Sequence, residues 1–288
     1  MRLLWLSYRV VMDAFYRFNA NDGWATASHI ALSALMSLFP FLIVVTALGG
    51  FFGTKELADE VASILLEAWP TQVAMPISME IHRVLTTARG DVLTVGVVLA
   101  VYFASSGIES LRIGLNRAYG VAEARRWWLL RLESIAYVLV AAVALLALAF
   151  LVVLAPLIFA TAIRYAEWLA PLLPMLTFLR LAVASMVLIA ALFIAHKWLP
   201  TGRRRLSEIA PGIAATLLLW LVAGEVFGSY LADFAYTYVT YYAGLASAMI
   251  ALVFLYLTAS IFIYGGELNA VIREWRDLPP EPRPEPAI

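Results

Sequence analysis

Long apolar stretches recur along the chain and are separated by polar or charged segments. About 20 apolar residues are needed to cross the hydrocarbon core of a bilayer as an α-helix. Six stretches reach this length, at residues 24–52, 92–115, 135–160, 176–196, 209–231 and 244–270. The pattern therefore predicts an all-α membrane protein, with a six-transmembrane-helix bundle over residues 24–271.

The segment between the first two spans, residues 54–91, has a different periodicity. Leu57, Val61, Ile64 and Leu65 recur on one helical face, and the acidic residues fall largely elsewhere. This spacing predicts an amphipathic helical segment on the periplasmic side. The segment either caps the bundle or lies on the membrane surface. Its acidic polar face favours the cap, because helices that bind lipid surfaces are typically basic.

The two ends of the chain lack this pattern. Residues 1–23 contain no uninterrupted apolar run, so we expect a cytoplasmic N-terminal segment without a cleavable signal peptide. Residues 272–288 are rich in proline and charge, which predicts a disordered cytoplasmic tail.

Composition and charge sharpen this prediction. The 288 residues are 63% hydrophobic and 14% charged, and mean hydropathy is +0.87, whereas a soluble domain carries about 25% charged residues. About three quarters of the 20 Lys and Arg residues lie in the two termini or in the loops on the same side of the membrane. Basic residues that flank a span resist translocation, so we expect this side, with both termini, to be cytoplasmic. The net charge of zero argues against a nucleic-acid partner, so membrane lipids are the expected partners.

One polar stripe runs down the inner half of the second span. Ser105, Glu109, Arg112 and Asn116 recur at helical spacing, and Glu109 and Arg112 lie close enough to pair across one turn. The stripe either lines a cavity open to the cytoplasm or forms a structural ion pair that sets helix register. A neighbouring stripe of small residues, suited to close helix contact, comprises Gly107, Ser110 and Gly114.

Two further acids fall within predicted spans. Glu225 has no basic residue within one turn, so it either faces water, stays protonated or pairs with another helix. Glu267 follows Gly265 and Gly266 near the end of the last span, where Arg131 or the run Arg203–Arg205 could pair with it. Its role is either structural or part of a polar pathway with Glu109 and Glu225.

The basic residues of the loops have two interpretations. Arg203, Arg204 and Arg205 follow Pro200 in a short loop and determine topology, or they bind anionic lipid head groups together with Arg131. His29, His82 and His196 are scattered and the chain has no cysteine, so we expect neither a metal nor a cofactor. Without a nucleotide-binding or hydrolase motif, we expect no enzyme activity.

Several motifs follow one another in an order that resembles the YihY/BrkB family of bacterial inner-membrane proteins. The resemblance covers roughly residues 22–271. The first half carries Asp22, Ser37-Leu38-Phe39-Pro40, Ser105-Ser106-Gly107, Leu115-Asn116, Tyr119 and Arg131. The second half carries Leu199-Pro200, Pro211-Gly212, Trp220, Tyr230, Tyr242-Ala243-Gly244, Phe254-Leu255-Tyr256 and Gly265-Gly266-Glu267. Three positions depart from the family pattern: Ala243 is inserted in the Tyr-Gly pair, Phe254 stands where Trp is usual, and Gly266 replaces Ala. These departures leave Glu267 and Asn269 in place.

The resemblance implies six transmembrane helices in the bacterial inner membrane, with both termini cytoplasmic. Members of that family are described as transporters of lipids or envelope precursors, as serum-resistance factors and, formerly, as a ribonuclease. The short loops lack the basic surface and acid–base groups that RNA cleavage needs, which argues against the ribonuclease.

Two hypotheses of function remain. The first is a transporter or flippase-like protein for a lipid or amphipathic envelope component. The second is a non-catalytic membrane scaffold or envelope-integrity factor, in which the acids are structural pairs. The sequence leaves open whether copies of the chain associate.

Overall fold

Helices dominate the computed structural model, which describes residues 2–51, 90–149, 171, 173–242 and 245–277. This described part contains no strand. Its seven helices are α1 (Arg2–Ala20), α2 (Gly23–Phe51), α3 (Gly90–Ala118), α4 (Trp127–Ala149), α5 (Leu173–Trp198), α6 (Leu206–Tyr242) and α7 (Ala246–Asp277).

Five of these helices, α3 to α7, are long and apolar enough to cross a membrane. Large side chains on them face outwards: Phe178 is 75% exposed and Leu221 is 73% exposed. Water would penalise such a surface and lipid does not. For the residues that the structure describes, the prediction of an all-α, multi-pass membrane protein is confirmed.

The six-span count stays a prediction. Helix α2 coincides with the first predicted span, 24–52, but it is not one of the five candidate spans. The predicted amphipathic segment at 54–91, except for its last two residues, lies outside the described part of the chain. The end of the third predicted span lies outside it as well.

The C-terminal end differs from its prediction, because α7 continues to Asp277 and the predicted disordered tail at 272–288 therefore begins too early. Residues 1–23, predicted as a cytoplasmic N-terminal segment, contain the helix α1. Helix α1 packs along the end of α7. Ala14 is fully buried against Leu268 and Val271, and Trp275 packs against this cluster. Burial of an amphipathic face stabilises a helix that propensity alone would leave marginal.

Small residues allow the central helices to approach closely. Helix α3 packs most extensively against α2. A Cβ atom added at Gly114 would lie 2.5 Å from Cδ1 of Ile263 on α7 and 2.8 Å from Cγ2 of Thr26 on α2. Ser110 shares a 2.8 Å hydrogen bond with His29 of α2. The stripe of small residues on α3 therefore faces both neighbouring helices, as expected for helix contacts in membranes.

The closest approach joins α6 to α7. A Cβ atom at Gly212 would collide with the carbonyl oxygen of Gly265, so the two backbones touch. The side-chain oxygen of Asn269 accepts a 2.6 Å hydrogen bond from the backbone N–H of Gly212. Thr216 donates a 2.8 Å hydrogen bond to the Gly212 carbonyl. This contact holds the start of α6 against the polar end of α7.

We expect Gly212→Ala to destabilise the protein by about 1–3 kcal/mol, because the added methyl group forces these backbones apart. Thermal unfolding in detergent micelles measures the change. Gly224→Ala on the same helix is the matched control, since a Cβ atom there meets nothing within 4 Å. Removing glycine from an open helical site is neutral or stabilises by up to about 1 kcal/mol. Equal stability of the two variants would contradict the proposed backbone contact.

Candidate functional site

The predicted stripe on α3 reaches two different environments. Ser105 is fully buried and donates a 2.9 Å hydrogen bond to the carbonyl oxygen of Tyr102. The side chain of Glu109 is 37% exposed, whereas that of Arg112 is only 3% exposed. Asn116 is buried as well. The stripe is therefore partly open at Glu109 and sealed around the other three residues.

Around Glu109, polar side chains line the contact between α3 and α4, which we call the α3–α4 groove (Tyr102, Ser106, Glu109 and Arg131). The Glu109 carboxylate accepts a 3.2 Å hydrogen bond from Arg112, which confirms the predicted pair, and another of 3.2 Å from Arg131. Arg131 also donates to Ser106 at 3.2 Å and lies 4.6 Å from the ring centroid of Tyr102. Glu109 of α3 and Arg131 of α4, both partly exposed, thus form an ion pair between two candidate spans.

Arg112 is enclosed on the other side of the stripe. Its Nη1 atom donates to the carbonyl oxygen of Leu130 and to the hydroxyl of Ser134, both at 3.3 Å. Its Nε atom lies 3.8 Å from the carboxylate of Glu123. Arg112 therefore connects α3, α4 and the loop between them, and its charge is balanced by acids on two sides.

Glu123 is the centre of a second polar cluster, in the loop between α3 and α4. It accepts 2.9 Å hydrogen bonds from the guanidinium of Arg125 and a 3.2 Å hydrogen bond from Asn116. Arg125 in turn pairs with Glu133 at 2.8 Å. The Asn116 oxygen accepts a 2.8 Å hydrogen bond from the backbone N–H of Thr201. The hydrogen bonds from Arg125 lower the pKa of Glu123 to about 2.

A buried hydrogen-bonded chain lies beside this loop. Tyr119 shares a 2.9 Å hydrogen bond with His196 of α5, and Asn269 of α7 donates to the Tyr119 hydroxyl at 3.2 Å. His196 is fully buried. Desolvation by burial raises the pKa of Tyr119 to about 12. The guanidinium carbon of Arg204 lies 4.0 Å from the centroid of the Tyr119 ring.

Sequence reasoning missed much of these clusters. Glu123 and Arg125 lie outside the predicted spans, although an acid in an otherwise basic loop is a recognisable signal for an ion pair. In the sequence, His196 stands out only as a possible metal ligand, and Tyr119 and Asn269 only as positions of family motifs. Only the packing of α5 and α7 around the end of α3 brings these three together.

Glu267 is fully buried, but its predicted partners were wrong. It accepts a 2.7 Å hydrogen bond from the side chain of Asn21, and its other oxygen lies 3.6 Å from Nε of Arg17. Arg17 also pairs with Glu274 at 2.6 Å. These partners come from α1 and the turn that follows it, since α1 packs against α7 and Arg131 is held by Glu109 instead.

Glu225 lies apart from all of these groups. It is exposed on α6, about 28 Å along the helix axis from Leu206 at 1.5 Å per residue. No hydrogen bond or ion pair joins it to another described residue, so the structure does not bring it to the stripe. The predicted basic run also divides, because Arg203 and Arg205 are exposed and Arg204 is buried. No group of acids and histidines suited to a metal ion occurs in the described ranges.

These features define a polytopic α-helical membrane protein with polar residues at three places. They lie in the α3–α4 groove, at the contact of α1 with α7, and where α3, α5 and α7 meet the loops at 119–126 and 199–205. The family model described as virulence factor BrkB matches residues 14–287, nearly the full length, and the chain belongs to that family. The family resemblance of the motifs is thereby confirmed.

Two relatives illustrate the family. The chain is 25% identical over 269 residues to the ribonuclease-like protein YfkH of Bacillus subtilis strain 168, which covers 93% of this chain and 97% of YfkH. It is 27% identical over 269 residues to the UPF0761 membrane protein RC1_0578 of Rhodospirillum centenum. This second match covers 93% of the chain but only 58% of the relative. No solved structure matches the chain.

The low pKa of Glu123 predicts a pH dependence of stability. Its charged form is favoured by folding, so its contribution is present above the ordinary pKa of 4.5 and is lost as pH falls through about 2. We expect Glu123→Gln to be less stable than the native protein by about 1–3 kcal/mol at pH 7, because hydrogen bonds to a charged group are lost.

Unfolding measured between pH 7 and pH 2 in detergent tests this expectation, and the difference should shrink towards pH 2. Asp22→Asn is the control, since the Asp22 side chain is 76% exposed and lies 4.0 Å from Arg117. A constant difference for Glu123→Gln across the whole pH range would show that its charge is unimportant.

Proposed function

We propose that this protein is a transporter or flippase-like protein for a lipid or amphipathic envelope component. The observation that supports it is the Glu109–Arg131 pair in the α3–α4 groove. Charged groups within membrane spans are costly and commonly mark the path of a substrate. Here the pair is partly exposed on the surface of two spans, where a lipid head group could reach it while its tails stay in the bilayer.

The chemistry of the groove suits a polar head group. Arg131 presents a guanidinium, which pairs well with phosphate or carboxylate oxygens, and Glu109 presents an acceptor for amines or hydroxyls. Glu109 lies about 13 Å along α3 from Ala118 at 1.5 Å per residue, well inside the span. A head group that exchanges with the ion pair would therefore leave water by a polar route and avoid the apolar surface.

The bilayer expected around this protein is the bacterial inner membrane, with both termini in the cytoplasm. The distribution of basic residues supports this orientation. We also propose that the protein is not an enzyme. The ribonuclease wording belongs to the name of a relative. In this chain Glu123, in the loop, and Glu133, on α4, are both held in ion pairs by Arg125.

The sealed part of the stripe favours a second candidate, a membrane scaffold or envelope-integrity factor. Arg112 is enclosed by Leu130, Ser134, Glu109 and Glu123, as expected for a group that sets the packing of helices. The two candidates differ at Glu109, because a scaffold needs the ion pair only for stability and a transporter needs its exposure.

We expect Glu109→Gln and Arg131→Gln to slow translocation of a fluorescent phospholipid in proteoliposomes by at least about tenfold. The reason is that each removes a charge-assisted contact of about 1.5–3 kcal/mol, and about 1.4 kcal/mol corresponds to a factor of ten. Loss of fluorescence on adding a membrane-impermeant quencher reports the movement.

Arg126→Gln is the matched control, because Arg126 is exposed in the loop just before α4, the helix that carries Arg131. Glu225→Gln provides a second comparison, since Glu225 lies far from the groove. Native rates in both groove variants would refute the groove as the path. Absence of translocation by the native protein would favour the scaffold.

A further inference from the structure

Arg204 is a buried cation in the loop between α5 and α6. It is only 7% exposed, although its neighbours Arg203 and Arg205 are exposed. Burying a guanidinium is costly unless hydrogen bonds and an opposite charge compensate for its lost hydration. The partners of Arg204 therefore decide what this position does.

The hydrogen bonds of Arg204 are incomplete. Its Nη2 atom donates a 3.0 Å hydrogen bond to the carbonyl oxygen of Thr201, and the ring of Tyr119 covers one face of the guanidinium. The Nε and Nη1 atoms are buried and have no hydrogen-bond partner among the described residues. Two nitrogens of a charged group are thus enclosed without an acceptor.

The charge of Arg204 is also poorly balanced. Glu208 attracts it electrostatically, but the Glu208 carboxylate accepts a 3.1 Å hydrogen bond from the backbone N–H of Arg205, and no ion pair within the described ranges joins it to Arg204. Glu123 is occupied by Arg125. Arg273 on α7 adds a second positive charge, close enough to act on both Tyr119 and Arg204.

A phosphate group would supply what this cluster lacks. Its oxygens accept charge-assisted hydrogen bonds from guanidinium groups, and its negative charge would offset two neighbouring arginines. The aromatic ring below Arg204 holds the guanidinium in place by a cation–π contact. Since the two nitrogens are enclosed, a ligand would reach them only after a shift of the loop that carries Arg204.

We propose that Arg204, together with Arg273 and the ring of Tyr119, forms a binding site for a phosphate group, carried by a phospholipid head group or by free phosphate. The role of this site rests on the proposed transport function. The site deepens that function by naming phosphate-bearing compounds as the ligand class. This proposal also separates Arg204 from Arg203, Arg205 and Arg131. The sequence alone predicts all four as candidate contacts of anionic lipid head groups.

The test is equilibrium binding to the full chain purified in a phosphate-free maltoside detergent, followed by titration calorimetry. The probes are inorganic phosphate, dihexanoyl phosphatidylglycerol and, as a phosphate-free comparison, dihexanoylglycerol. We expect saturable binding of at least one phosphate-bearing probe and none of dihexanoylglycerol. Tighter binding of the phospholipid identifies a head group as the ligand, and tighter binding of inorganic phosphate identifies the free ion.

Arg204→Gln should weaken this binding by at least about tenfold, which corresponds to the loss of one charge-assisted hydrogen bond. Arg205→Gln removes the same charge from an exposed neighbour and should change affinity by less than about twofold, as expected for an exposed charge. Arg273→Gln, at an exposed position, provides a second measurement if Arg204→Gln does not fold, and it should weaken binding about threefold or more.

Two results would overturn the site. One is the absence of saturable binding of either phosphate-bearing probe to the native protein. The other is equal weakening by Arg204→Gln and Arg205→Gln, or by Arg273→Gln and Arg205→Gln, which would indicate diffuse attraction by basic residues. Binding is measured without a membrane gradient, so failure of the translocation assay would refute transport and leave this result standing.

Discussion

The buried amide of Asn269 ties the start of α6 and the end of α3 to α7. Its oxygen accepts the N–H of Gly212 where α6 and α7 touch, and its nitrogen donates to the hydroxyl of Tyr119 at the end of α3. Tyr119 then contacts His196 and carries Arg204 over its ring. In surroundings without water, a buried amide must have such partners. Asn269 therefore fixes α6 and the end of α3 against α7, and Tyr119 extends the contact to α5 and to the loop that carries Arg204.

The same requirement explains why the polar residues fall into sealed and open groups. Arg112 and Glu267 are enclosed and have partners from neighbouring helices, which makes them suited to hold the bundle together. Glu109 and Arg131 satisfy each other but keep part of their surface exposed. Arg204 is enclosed without full compensation. A substrate of the proposed kind would gain most from the open pair and from Arg204, because their hydrogen bonds are exchangeable or incomplete.

How well the sequence predicts the partner of a polar residue differs from residue to residue. Helical spacing correctly paired Glu109 with Arg112, since partners one turn apart on one helix need no knowledge of tertiary structure. The partner of Glu267 was missed because Arg17 and Asn21 lie about 250 positions earlier in the chain and reach it only through the docking of α1. Charge alone also could not separate Arg204 from Arg203 and Arg205, because burial depends on which ring lies beneath each side chain.

The sequence by itself determined the class of the protein and the approximate place of the spanning helices α3 to α7. Apolar length and charge distribution act locally, and lipid enforces helices wherever they occur. The motif order along the chain likewise indicated the BrkB family. Only the tertiary structure decided which polar groups meet, that α1 packs along the end of α7 and that Arg204 is enclosed beside Tyr119. Those outcomes depend on contacts between distant segments, and helical periodicity carries no information about such contacts.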